Sequence, residues 1–165
     1  MTIQSFRGGY ERFLEWICIV LMLALAAEVT AGVVFRYSGH SLVWYDEVAT
    51  ILLVWVTFYG SALAALKHAH MGVPEIVAMM PPRARVAATA VAQLCTLAFF
   101  VLLAWISWSI LDVLNTDMLV SLPAISVAWA YSALPVGAAL FVIAQILVFP
   151  ELVRKARLGR KQEAA

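Results

Sequence analysis

An all-α integral membrane protein is the fold class this sequence predicts, and three observations predict it. Of 165 residues, 64% are hydrophobic and only 13% charged, with a mean hydropathy of +0.93, against roughly 45–50% apolar and about 25% charged in soluble domains. The charges lie almost entirely between four apolar runs. Each run can cross a bilayer core, which takes about 20 apolar residues as a helix. The expectation is a single membrane domain, a four-helix bundle with spans at about 13–36, 41–66, 83–114 and 127–150 and a charged tail over 151–165.

The first run, Phe13 to Phe35, follows a polar lead carrying Arg7 and Arg12. That basic start and the small-residue triplet Ala24-Leu25-Ala26 have the outline of a secretory leader. Apolar sequence resumes after Glu28, however, and runs too far for a cleaved one, so an uncleaved first helix is expected. Arg36 closes it. The link Tyr37–His40 is so short that the first two helices must be adjacent and antiparallel.

The second helix is the centre of the chain. Trp44, Tyr45, Asp46 and Glu47 precede a 19-residue uncharged run, Val48–Leu66, which Lys67 and two histidines, His68 and His70, follow. The acidic pair suits the positive end of the helix dipole. In the connection from Lys67 to Arg85, Pro74 is expected to open a short interfacial helix over EIVAMM, because proline suits a first helical position. The third helix carries a 26-residue uncharged run, Val86–Leu111, long enough to cross with tilt. Asp112, Asn115, Thr116 and Asp117 end it. The fourth runs from Val127 to Phe149 with Pro135 inside, and the tail after it is expected to fray into water.

Lys and Arg in short flanks set orientation. With the N-terminus inside, ten of them lie on the inner side and Arg36 alone on the outer, so both termini are expected in the cytoplasm. Tyr37, Trp44, Tyr45, Trp105, Trp108, Trp129 and Tyr131 then form an outer aromatic belt.

Few side chains could carry chemistry. Glu28 lies about seven residues, roughly 10 Å, from the outer end of its helix, and an acid at that depth is a functional candidate. It reads either as a proton or cation site or as a buried acid bonded to another helix or subunit, and the structural reading is preferred. Ala24 and Gly32 flank it at helical spacing, a pattern that suits close helix contact. Arg36, Asp46 and Glu47 flank one link and either clamp two helix ends together or touch a partner directly. Trp44, Ile51, Trp55 and Phe58 share a stripe. Gly60 with Ala64, and Ala133 with Gly137, form small-residue faces for packing within the chain or against another subunit. Cys18 and Cys95 sit in apolar runs and read as packing, and no zinc spacing exists. His40 lies at the opposite side from His68 and His70, which excludes a bis-histidine haem; no cofactor is expected. No basic run with interleaved aromatics suggests nucleic acid. With one deep acid, two glutamines (Gln93, Gln145) and one helix proline, the spans make a poor solute pathway. The chain reads as a non-enzymatic scaffold beside something larger.

Several motifs together resemble the small permease subunit of tripartite ATP-independent periplasmic (TRAP) transporters, the DctQ-like family. Arg36 ends the first helix, and Trp44, Asp46 and Glu47 open the second. Trp55, the Phe58-Tyr59-Gly60 step and His70 follow. Ile125, Tyr131 and Leu134-Pro135-Val136-Gly137 match the pattern near the fourth helix. Ser126 stands where the family pattern has proline, Asp46 replaces the commoner glutamate, and Pro74-Glu75 stand near the acidic position after His70. The resemblance covers about Val34 to Gly137. It implies a multi-pass bacterial inner-membrane protein and subunit-interface or structural roles for Arg36, Trp44, Asp46, Glu47, Trp55, Gly60, His70, Tyr131, Pro135 and Gly137, beside the structural role that Glu28 takes from its depth in the first helix. It implies as partners a large permease subunit that moves solute and sodium, a periplasmic solute-binding protein that delivers a carboxylate-bearing solute, and membrane lipids. The polar tail ending at residue 165 suggests that the large subunit is a separate chain. Two other readings stand beside this one. In the first the chain is a self-sufficient proton-coupled multidrug exporter using Glu28; in the second it is a membrane anchor with no link to transport.

Overall fold

A computed structural model describes residues 3–40, 42–67 and 80–158. Its helices are α1 (Ile3–Tyr37), α2 (Tyr45–Leu66), α3 (Pro82–Leu114), a short α4 (Val127–Tyr131) and α5 (Ala133–Leu158). Four stretches are long and apolar enough to cross a membrane: Arg7–Tyr37, Tyr45–Leu66, Arg83–Leu114 and Val127–Arg154, the last made of α4 and α5 together. The all-α, four-helix membrane fold expected from composition is the fold observed. The only β-type pairing among the described residues is a bridge between Met118 and Ser126.

Local chemistry sets the helix ends. Gly39, at φ +80°, ends α1. The His40 N–H donates to the Phe35 carbonyl (3.1 Å) and the Gly39 N–H to that of Arg36 (3.3 Å), a Schellman arrangement that needs a left-handed residue. That motif occupies the link, so α2 begins at Tyr45 rather than near Ser41, with Trp44 at its N-cap and Asp46 and Glu47 in its first turn. Pro81 is extended (ψ 151°) and Pro82 opens α3, where a missing N–H costs nothing. The short helix expected over EIVAMM, with His68, His70, Pro74 and Glu75, lies outside the described residues.

The fourth span is interrupted only by a turn at Ser132, which keeps helical dihedrals (φ −60°, ψ −18°) and still donates its N–H to the Ala128 carbonyl. Ser126 caps α4 by accepting from the Ala128 N–H (3.2 Å). Pro135 follows this turn in the first turn of α5, and its missing N–H leaves the Tyr131 carbonyl without the usual helical donor. At the other end the helix continues through Pro150 to Leu158.

The helices form a row. α1 packs on α2, α2 on α5, and α5 on α3. The buried core sits where α1, α2 and α5 meet near the Arg7 end: Leu14, Cys18, Tyr59, Ala62, Leu66, Phe141, Ala144 and Val148. On α1 the residues Leu14, Cys18, Leu21, Leu25, Glu28 and Gly32 follow the alternating three- and four-residue spacing of a helix–helix seam. Lipid tails are as apolar as leucine, so such seams are held by close packing and polar ties more than by expulsion of water. Toward the Arg36 end α1 is barely covered: Val29, Val33, Val34 and Phe35 are all exposed. In the most apolar stretch of α3 no residue is buried.

Candidate interaction site

Two close approaches fix the seams, and both use glycine. A Cβ placed on Gly32 would stand 2.5 Å from Cδ2 of Tyr45, which joins α1 to the start of α2. A Cβ on Gly137 would stand 2.5 Å from Cβ of Phe58, which joins α5 to α2. Gly60, expected to permit close approach, faces no atom within 4 Å of its would-be Cβ. Ala24 is exposed, so the small-residue contact beside Glu28 lies on the Gly32 side alone.

Inside the spans the hydroxyls turn back on their own helices. Thr30, Thr57 and Thr96 donate to the carbonyl four residues earlier and Ser61 to the one three earlier, at 2.7–2.9 Å. Gln145, buried on α5, donates through Nε2 to Oε1 of Gln93 on α3, so one hydrogen bond ties the two glutamines together. Next to them Phe100 stacks on Phe141, centroids 3.7 Å apart. Glu28 is partly buried on α1, and its Oε1 is buried without a hydrogen-bond partner among the described residues. Trp55 stacks on Tyr59 (5.5 Å) and packs against Trp129 (5.7 Å). Its indole N–H also lacks a partner among them.

At the Arg7 end a clasp gathers three helices. Arg7 forms an ion pair with Glu151 of α5 (2.7 Å) and donates to the Leu66 carbonyl at the end of α2 (3.2 Å). The Tyr10 hydroxyl donates to the Leu140 carbonyl (2.7 Å). Lys67 pairs with Glu15 and lies 3.7 Å from Glu11. The hydrogen bond to Glu15 raises the Lys67 ammonium above the ordinary lysine value; desolvation opposes it, and the charges of Glu15 and Glu11 add to the rise.

At the Arg36 end Glu47 holds a loop. Its carboxylate accepts the Ser121 N–H at Oε2 (2.8 Å) and the Val120 N–H at Oε1 (3.2 Å). Ser121 Oγ donates to the Val43 carbonyl (3.3 Å). The far side of the loop is closed by Leu119 N–H to Ile125 (3.0 Å) and Val127 N–H to Asp117 (2.9 Å), with Leu119 buried beneath. Ser126 Oγ also reaches the carbonyls of Leu114 and Asn115 (3.4 Å each). The serine found where the resemblance has proline therefore caps α4 and ties it to the end of α3. Beside the loop, a cavity of about 650 Å³ opens between α3 and α4, lined by Trp108, Asp112, Asn115, Trp129 and Ser132 among others.

Of the residues singled out from sequence, Glu47 is held by this loop. Arg36 is exposed in the last turn of α1, with no side-chain partner among the described residues, and Asp46 has none either. Trp44 and Tyr131 are exposed at the same end, Pro135 and Gly137 are buried in α5, and His70 lies outside the described residues. Sequence reading missed the loop amides that Glu47 binds, because they lie 73 and 74 residues away. It also missed the pairing of Gln93 with Gln145, for which their isolation in apolar runs was a signal. No group of three or more metal-ligating side chains gathers among the described residues.

Comparison with known proteins bears on this arrangement. Residues 25–155 match the family described as tripartite ATP-independent periplasmic transporters, DctQ component. The chain is 29% identical over 108 residues to the C4-dicarboxylate TRAP transporter small permease protein DctQ of Vibrio cholerae, covering 65% of this chain and 45% of that one. It is 30% identical over 141 residues to the sialic acid TRAP transporter permease protein SiaT of Haemophilus influenzae, covering 82% of this chain and 23% of that one. The aligned part thus spans less than half the length of either relative.

Proposed function

We propose that this chain, which belongs to the DctQ-component family of the tripartite ATP-independent periplasmic transporters, scaffolds a large permease subunit. It is a multi-pass inner-membrane protein, and its family is a transporter subunit rather than an enzyme class. In this reading both termini and the Arg7 clasp face the cytoplasm, and the Arg36 end faces the periplasm. The large subunit carries a carboxylate-type solute, driven by a cation gradient, with sodium as the coupling ion. A periplasmic binding protein delivers the solute, and lipids fill the rest of the surround.

One observation supports this division of labour more than any other. In the described spans Thr30, Thr57, Ser61 and Thr96 spend their hydroxyls on their own helices, and the glutamines bond to each other. No row of free polar groups crosses the described spans, whereas wide apolar faces of α1 and α3 stand uncovered. Such a surface suits a static partner better than a conduit.

The test is purification of the tagged chain from its host in mild detergent, with identification of what accompanies it. A polytopic large subunit at one-to-one ratio is the expected result, together with loss of solute uptake on deletion of this chain. Recovery of self-dimers alone overturns the proposal. The buried, unpartnered oxygen of Glu28 favours one other reading, a self-sufficient proton-coupled exporter. That reading requires efflux by the chain alone, abolished by Glu28→Gln.

A further inference from the structure

We infer that the open cavity between α3 and α4 binds the head group of a phospholipid that ends in a primary ammonium, of the ethanolamine type. Asp112 meets the ammonium beside the indoles of Trp108 and Trp129, and Asn115 meets the phosphate. The site lies within this chain, so it does not depend on the scaffold reading or on which end of the bundle faces the periplasm.

The cavity is lined for a small cation. Trp108 and Trp129 both line it and remain 67% and 64% exposed. An ammonium over an indole face is attracted by the ring quadrupole, and a carboxylate adds a charge-assisted hydrogen bond. The side chains of Asp112 and Asn115 have no hydrogen-bond or ion-pair partner among the described residues, whereas the hydroxyls of Ser126 and Ser132 already donate to backbone carbonyls. Asp112 and Asn115 are three residues apart on α3, a spacing that sets Cβ atoms about 5–6 Å apart on one face. An ethanolamine head group carries its ammonium and its phosphate at the two ends of a short carbon bridge, so one end can meet an acceptor and the other a donor. A glycerol head group brings no cation, and its phosphate meets Asp112 as a like charge.

The helix face that leads away from the cavity argues for lipid over a basic side chain of another protein. Trp108 and Asp112 lie in the last two turns of α3, at the end of a span, where head groups meet hydrocarbon and tryptophan settles. Along the same face, by helical spacing, follow Trp105, Val101 and Leu94, all exposed. From Leu94 to Trp108 this stripe runs about 20 Å along the axis, more than the roughly 15 Å depth of one hydrocarbon leaflet. Acyl chains need such a track, and a lysine or arginine reaching into the cavity does not.

The full chain, purified in mild detergent, is offered phosphatidylethanolamine, phosphatidylcholine and phosphatidylglycerol with identical acyl chains, and native mass spectrometry reads what it retains. Phosphatidylethanolamine is expected to be retained over phosphatidylglycerol. Asp112→Asn is expected to cut that preference by about threefold, as loss of an exposed ion pair does, and Asp112→Glu to keep it. Trp108→Leu is expected to lower retention of the ethanolamine and choline lipids alike by about threefold. Retention of phosphatidylglycerol stays the same in all three variants, which a general loosening of the chain would not allow. Absence of any preference in the wild-type chain overturns the inference, and so does a preference that survives both Asp112→Asn and Trp108→Leu. An equal fall for all three lipids in these variants also overturns it, because the cavity is then a matter of folding alone. If Asp112→Asn leaves lipid retention unchanged but frees a co-purifying membrane subunit, the cavity is a protein contact and the inference fails.

Discussion

Phe58 occupies the space that any side chain on residue 137 would need: a Cβ at Gly137 would stand 2.5 Å from the Cβ of Phe58. An atom so near the backbone cannot swing aside as a ring edge can, so one of the two helices must move. Gly137→Val is therefore expected to destabilise the folded chain by about 1–3 kcal/mol, as overpacking does. A melt in detergent checks this. Gly32→Ala meets only the ring of Tyr45 and should cost less.

The paired glutamines allow a cycle of substitutions. Gln145→Leu strands the amide of Gln93 between α3 and α5, and Gln93→Leu strands the other. Each single variant should lose about 1 kcal/mol, within the range for polar ties between membrane helices. The double variant should lose less than the sum, because no orphan remains. Additive losses in unfolding measurements would mean the two amides do not act as a unit.

Ser126 makes a sharper claim about the α3–α4 junction. Ser126→Ala removes the N-cap and the ties to Leu114 and Asn115, and should cost roughly 1 kcal/mol. Amide hydrogen exchange should rise at Ala128 and across the loop while the α1–α2 seam stays protected.

Lys67 gives the clasp a pH signature. Its folded pKa is raised, so its contribution is present in full below the unfolded value, about 10.4, and is lost as pH rises through the folded value. Lys67→Met should therefore differ from the parent by a small, salt-sensitive shift in melting temperature that holds across neutral pH. That difference should vanish in strong alkali.

Four spans were legible because uncharged runs of that length have few other uses, and the DctQ-like resemblance was legible from Arg36, Trp44, Glu47 and Tyr131 together. Which faces meet was not legible. A membrane helix is apolar all round, so periodicity does not mark its buried side, and Gly60 and Gly137 look alike until Phe58 is seen against one of them. The partners of Glu47 are separated from it by the length of two spans. The turn at Ser132, three residues before Pro135, was not legible either, because a proline inside an apolar run does not say where the helix yields.

The row order of the helices also governs the birth of the protein. α5, made after α3, lies between α2 and α3, so the α1–α2 hairpin and α3 enter the bilayer before the helix that joins them along the spans exists. Through that interval Gln93 has no Gln145 to meet, and Phe58 looks onto an empty place that Gly137 will fill. A nascent chain stopped before residue 133 is thus held together only at the Arg36 end, by Glu47 on the Val120 and Ser121 amides and by Trp55 on Trp129, and the rest of the spans stand apart in lipid until α5 enters.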